Sequence, residues 1–241
     1  MEMYFKALRL IQKLPGKEDK NEKAWVQRYL GSDKSTRCVK TGEVQKAARE
    51  FLKNNDLTEN DFFELIDKLY SRAKTFEEID LAAKLIGIKK DFRKDIDLEK
   101  LGRWLTFTHG WAECDTLCQS NFEAEEILER WNEWKKSLTK LNKSKNIQQR
   151  RASLVLLTKT LRQSADERVF NLALELVENL KSEKEILITK AISWILRSMY
   201  NNHKEKLTKY LEINKDSLPK IAYREALNKV ITGKKSKERV K

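Results

Sequence analysis

Asn146–Asn201 reads NIQQRRASLVLLTKTLRQSADERVFNLALELVENLKSEKEILITKAISWILRSMYN. Within it, residues 146–163, 166–181 and 184–201 each carry apolar side chains at the spacing of a helix with one buried face. Leu154, Val155, Leu157 and Leu161 form the first stripe. Phe170, Leu172, Leu174 and Val177 form the second, and Ile188, Ile192, Ile195 and Met199 the third. The stretches recur every 18–20 residues or so, joined by short polar links, and two helices therefore take up roughly 40 residues. That spacing predicts helix pairs, each burying its apolar face on the next.

The same periodicity extends outward. Phe62, Phe63, Ile66, Leu69 and Tyr70 follow Thr58-Glu-Asn-Asp61, a capping-box arrangement with Asp in place of Glu. Leu81, Ala82, Leu85 and Ile86 lie between Thr75 and Gly87, and Ile221, Ala222, Leu227 and Val230 follow Ser217 and Pro219. Seven Gly and two Pro are too few for a fold of many tight turns. The chain reads as all-α, with about a dozen helices at the period of HEAT or armadillo pairs. The expected architecture is a set of HEAT-like repeats stacked into a curved α-α superhelix with a basic concave face. A globular bundle is the alternative. Residues 1–232 read as a single repeat domain and 233–241 as a basic, disordered tail holding Lys234, Lys235, Lys237, Arg239 and Lys241.

Fifty Lys and Arg against 37 Asp and Glu, a net +13, point to an anionic partner, most commonly nucleic acid. Candidate basic clusters include Lys89, Lys90, Arg93 and Lys94, then Lys135, Lys136, Lys140, Lys143 and Lys145. Either could equally be a solvated face. Cys38, Cys114 and Cys118 do not make a disulfide framework and read as reduced thiols. No apolar run suits a membrane span or a leader. A cytoplasmic monomer, or a nuclear one in a nucleated cell, is expected.

Trp111-Ala-Glu-Cys-Asp115 puts an indole and a carboxylate one helical turn apart on the same face. A basic protein with a polyanionic partner has little reason to aim a carboxylate at it unless the chemistry creates positive charge. A core Trp and an Asp that caps a helix or pairs with Arg are the structural alternatives. His109, Cys114, Asp115 and Cys118 lie close together, but no second Cys/His pair accompanies them, and neither a metal nor another cofactor is expected.

Three stretches together resemble the DNA alkylation repair family, the AlkD-like alkylpurine DNA glycosylases built of HEAT-like repeats. Trp111–Asp115 is similar to the family's Trp-Asp-x-x-Asp segment, with Ala112 replacing its first carboxylate. Gln149-Arg-Arg-Ala-Ser-Leu-Val-Leu-Leu157 is similar to the Arg-rich start of the next helix, where Arg150 fits the functional arginine best and Arg151 is the other choice. Ile188-Thr-Lys-Ala-Ile-Ser-Trp-Ile-Leu-Arg197 looks like the family's Gln-Lys-Ala-Ile-Gly-Trp-x-Leu-Arg signature. Ile147 departs from the family, which often has Trp there. Arg28-Tyr-Leu-Gly31 and Tyr223-Arg-Glu-Ala-Leu227 are lesser echoes.

The resemblance implies a monofunctional glycosylase that hydrolyses the N-glycosidic bond of cationic purines, 3-methyladenine and 7-methylguanine, in double-stranded DNA. It implies Asp115 as the catalytic carboxylate, Trp111 and Trp194 as walls around the lesioned nucleotide, and Arg150 or Arg151 on a phosphate. Lys190 and Arg197, flanking Trp194, complete the expected DNA contacts. A non-catalytic reader of damaged or distorted DNA and a scaffold for an acidic protein are the alternatives.

Overall fold

The computed structural model describes residues 1–119 and 121–235. They form fifteen helices and no strand, apart from an isolated parallel bridge between Ser35 and Thr75. The chain divides into two compact units, Met1–Asn121 and Phe122–Lys241.

The first unit contains α1 (Glu2–Lys13), α2 (Lys20–Leu30), α3 (Thr41–Asn54), α4 (Glu59–Ser71), α5 (Phe76–Ile88), α6 (Lys90–Lys94), α7 (Leu98–Leu105) and α8 (Gly110–Cys118). Its centre is α5, packed against α1, α3, α4 and α8. A helix touched on every side has no solvent face, and Ile79, Leu81, Ala82, Ala83, Leu85 and Ile86 are all buried. So are Glu77, Glu78 and Asp80 from its first turns, which must therefore find partners or a use. The Thr58 hydroxyl caps α4 by accepting from Asp61 N at 3.2 Å, as the capping-box spacing predicts. Arg93 departs from its basic-cluster reading: it is buried, and its guanidinium donates to Gly87 O at 2.7 Å.

The second unit contains α9 (Ala124–Glu129), α10 (Trp131–Asn142), α11 (Ile147–Gln163), α12 (Glu167–Leu180), α13 (Ile186–Ser198), α14 (Tyr200–Ile213) and α15 (Lys220–Thr232). Here the repeat is plain. Helices α11, α13 and α15 lie side by side, α10 packs on α11 and α12, and α14 packs on α15. The stripes of α11 and α13 are buried between neighbours, as are Phe170, Leu172 and Val177 of α12 and Ala222 and Val230 of α15, whereas Leu174 and Leu227 are half-buried and Ile221 is exposed; each buried Leu contributes about 1.5–3 kcal/mol. Asn146 starts α11 by accepting from Gln148 N and Gln149 N. The buried Asn142 amide donates to Ser153 Oγ at 3.0 Å and Leu176 O at 3.2 Å, tying α10 to α11 and α12. The architecture is an all-α helical repeat. Lys234 and Lys235 follow Gly233, while Lys237, Arg239 and Lys241 of the expected tail lie outside the described residues.

Candidate carboxylate pocket and nucleic-acid surface

In the first unit the site is set by a close approach of two backbones. Gly31 ends α2 and Gly110 opens α8, both at positive φ (68° and 66°). A Cβ on Gly110 would stand 2.1 Å from Gly31 O, so only glycine permits the contact. The contact seats the Trp111 indole against α2. Its Nε1 donates to Tyr29 O at 2.6 Å, and its ring meets the Tyr29 ring edge-on at 5.4 Å. Tyr29 in turn stacks on Trp25, 5.6 Å away and within 4° of parallel. Trp25 and Tyr29 are each 59% exposed, and α2 has no buried residue at all. An exposed aromatic pair on such a helix is not core packing; it is a surface suited to a flat partner.

Asp115 stands one turn beyond Trp111, half-buried, on the wall of a cavity of about 350 Å³. Trp111, Ala112, Asp115, Thr116 and Gln119 come to that cavity from α8, and Phe76, Glu77, Asp80 and Lys84 from α5. The opposite face of α8 does another job. Glu113 is fully buried and accepts from Ser32 Oγ, from Lys34 Nζ at 2.9 Å and from His109 N at 2.9 Å. It pins the loop after α2 to the start of α8, and the Trp–Asp face is thereby held toward the cavity. Cys114 and Cys118 are buried on the core side and form no disulfide. Among the described residues, no group of three or more His, Cys, Asp or Glu is placed to hold a metal ion.

Two carboxylates of α5 add to the wall. Glu77 Oε1 accepts from Thr36 Oγ1 (2.9 Å), Arg37 N (2.9 Å) and Val39 N (3.3 Å), which shapes the loop carrying Cys38. Asp80 accepts from Thr41 Oγ1 at 3.1 Å and sits 3.5 Å from Lys84 Nζ. Burial raises the Asp80 pKa above the ordinary aspartate value, against the pull of Lys84.

The second unit holds the other predicted residues. Arg150, in the first turn of α11, donates through Nη1 to Ser144 O (2.8 Å) and Lys145 O (2.9 Å) and pairs with Glu183 through Nε (2.8 Å). Its guanidinium braces the α10–α11 turn. Arg151 is only 3% exposed, and its Nη1 donates to Leu187 O at 2.6 Å. Lys190, Trp194 and Arg197 share one face of α13 by their spacing, with Lys190 exposed and Trp194 half-buried. The Arg197 Nε is 3.2 Å from Ser193 Oγ and 3.7 Å from Glu225 Oε2.

Charge separates the two units in a way that the whole-chain balance conceals. Residues 122–241 hold 27 Lys and Arg against 16 Asp and Glu, a net +11, while residues 1–121 hold 23 against 21, a net +2. The polyanion-attracting charge thus lies with residues 122–241, +4 of it in 233–241, and the carboxylate-lined cavity lies in a nearly neutral unit. Trp25, Tyr29, Glu77 and Glu113 are the site residues that sequence reading passed over. The Trp25–Tyr29 spacing of four on a basic helix was the available signal for the aromatic pair. Nothing in the sequence marks Glu77 apart from other acids at helix starts.

A helical-repeat fold with an aromatic–carboxylate cavity and a strongly basic second unit defines a protein built to work on a polyanion. The sequence profile of the DNA alkylation repair enzyme family matches residues 10–230, and the chain belongs to that family. It is therefore an enzyme family member with a role in repair of alkylation damage, and DNA is the partner that this role brings. Among solved structures, the chain is similar to a predicted DNA alkylation repair enzyme from Enterococcus faecalis. The two are 16% identical with a TM-score of 0.71, over 91% of this chain and 99% of that one. At that identity the likeness speaks for the fold. No curated protein matches the sequence. No helix among the described residues is long and apolar enough to cross a membrane.

Proposed function

We propose that the protein is a monofunctional DNA glycosylase that releases cationic N-alkylated purines, such as 3-methyladenine and 7-methylguanine, from double-stranded DNA. The observation that carries the reading is the placement of Trp111 and Asp115 together on the wall of one cavity, with Glu113 holding their helix from behind. Alkylation at N3 of adenine or N7 of guanine makes the base a cation and weakens its glycosidic bond. As the bond breaks, its electron pair passes to the base nitrogen, the base becomes neutral and positive charge builds on the deoxyribose. The Asp115 carboxylate stabilises that charge, and water adds at the anomeric carbon and loses a proton. At about 4 Å and an effective dielectric near 20, the attraction is on the order of 4 kcal/mol. Part of it already acts on the cationic substrate, so the rate effect lies below the roughly three orders of magnitude that figure represents.

Trp111, its ring fixed by the bond to Tyr29 O, offers a π face to sugar or base. In the second unit, Lys190, Trp194 and Arg197 make a DNA-contacting face of α13, with Lys190 on phosphate. Arg150 reaches a phosphate only with its bracing of the α10–α11 turn intact, and the buried Arg151 holds α13 and not DNA. The concentration of charge in the second unit would serve a non-catalytic reader of damaged DNA equally well. Free-base release separates the two. Asp115→Asn should lower release of 7-methylguanine from methylated duplex by about 10²–10³-fold while binding the same duplex as tightly as the parent or more so. Release at the parental rate from that variant would remove the carboxylate from the mechanism.

A further inference from the structure

Residues 135–145 read KKSLTKLNKSK, five lysines and no acid in eleven residues. They end α10 and make the turn to α11. Trp134, Leu138 and Leu141 recur at i, i+4 and i+7 and are buried where α10 packs on α11 and α12. Lys136, Lys140 and Lys143 repeat that spacing two residues later, about 200° further around the helix, and are exposed on the side away from those neighbours. Lys135 and Lys145 are exposed as well. Among the described residues, no carboxylate lies within ion-pair distance of Lys135, Lys136, Lys143 or Lys145. The acids beside the segment are already matched: Glu133 pairs with Arg130 at 2.6 Å and Glu183 with Arg150 at 2.8 Å. Arg150 also donates to Ser144 O and Lys145 O, which holds the turn in place. Like charges three and four residues apart on a helix repel. The row therefore costs the folded chain stability, and an anion laid along it would restore it.

Lys190, Trp194 and Arg197 look the other way. Their helix α13 lies between α11 and α15 and packs on α12 and α14 behind it, which leaves that strip as its outward face. The lysine row of α10 faces outward from the layer behind. Two helix layers about 8–10 Å apart, each helix about 10–12 Å across, put roughly 20 Å of protein between the two surfaces. One straight duplex cannot lie on both. DNA with a persistence length of about 150 base pairs is too stiff to fold back around so thin a body. We propose that the outer face of α10 binds the backbone of a second DNA segment, so that one chain holds two duplexes. The assignment rests on the reading of α13 as the first DNA face and extends it to the opposite side of the second unit. DNA is the partner that the family brings. A lysine row without acids suits its phosphates whatever the sequence. Holding a second segment lets the protein pass from one stretch of DNA to another without going free in solution.

The test uses the full chain and an unmethylated duplex little more than one helical turn long, with stoichiometry and affinities read by sedimentation velocity across a salt series. The parental protein should take two duplexes per chain. The second step should fall in log affinity against log salt with a slope of about −3, as three phosphate contacts require. Lys136→Ala, Lys140→Ala and Lys143→Ala combined should weaken that second step at least about tenfold and leave the first within about twofold. Lys136→Arg, Lys140→Arg and Lys143→Arg combined should keep both steps. Lys13→Ala, Lys53→Ala and Lys90→Ala combined remove the same charge from exposed positions of the first unit and should leave the second step within about twofold. A single duplex on the parent, an unaltered second step in the α10 alanine variant, or an equal loss in the first-unit control would each overturn the proposal. So would a first step weakened as much as the second, since both duplexes would then share one surface. Lys190→Ala separates the reading beneath: it should weaken the first step alone. An unchanged first step there sinks the α13 face and leaves the α10 site standing.

Discussion

Replacing Gly110 by Ala isolates the geometry on which the cavity wall depends. The new Cβ would lie 2.1 Å from Gly31 O, 2.4 Å from Gly31 C and 2.8 Å from Leu30 O, all backbone atoms that cannot rotate aside. Relief requires the end of α2 to withdraw by about 1 Å, breaking the Trp111 Nε1 bond to Tyr29 O at a cost of about 1 kcal/mol. Holding Ala at φ +66° adds about 1–2 kcal/mol. The total is about 2–3 kcal/mol before any repacking of Trp111 on Tyr29. Gly31→Ala is the matched control. Its φ is +68°, but the nearest atom to its Cβ is Gly110 Cα at 3.4 Å, an ordinary contact, so only the backbone preference of about 1–2 kcal/mol is lost. Urea unfolding followed by circular dichroism gives both differences. Base release by Gly110→Ala should fall with the displaced indole even where the variant is fully folded, whereas Gly31→Ala should keep most of it. Equal destabilisation of the two variants would show that the α2–α8 contact does not constrain the site, and the account of how Trp111 is positioned would fail.

Two further outcomes follow from the second unit. Lys190→Ala should weaken DNA binding about equally for all sequences and lower the slope of log affinity against log salt by about 1, measured by fluorescence anisotropy; an unchanged slope would take Lys190 off the backbone. His203, buried against the Phe170 ring at 4.7 Å and with no partner at Nε2, faces Glu167 (Nδ1 to Oε1, 3.8 Å) and, through it, Lys206. Burial holds its pKa below the ordinary histidine value, so on acidification the unfolded chain takes up a proton before the native one does. Stability is therefore complete above about pH 6.5 and declines below it by at most about 1.4 kcal/mol per unit. His203→Gln should flatten that decline in urea midpoints between pH 7.5 and 5.5, and an equally steep decline in the variant would exonerate the ring.

Periodicity alone established the helical repeat, because the stripes of Leu154–Leu161, Phe170–Val177 and Ile188–Met199 leave each helix one face to bury and neighbours at a fixed spacing to bury it on. The i, i+4 relation of Trp111 and Asp115 likewise put them on one face before any coordinates, since a helix turn fixes that geometry locally. What lay beyond the sequence was long-range. Glu77 and Asp115 are 38 residues apart in number and meet at one cavity only because α5 and α8 pack. Arg150 and Arg151 are adjacent and alike in the sequence, yet one pairs with Glu183 at the helix start and the other donates inward to Leu187 O; a difference of about 100° around the helix decides it, and only the neighbouring helices say which direction is inside. Side-chain partners and burial depend on elements distant in the chain, and residue spacing carries no record of them.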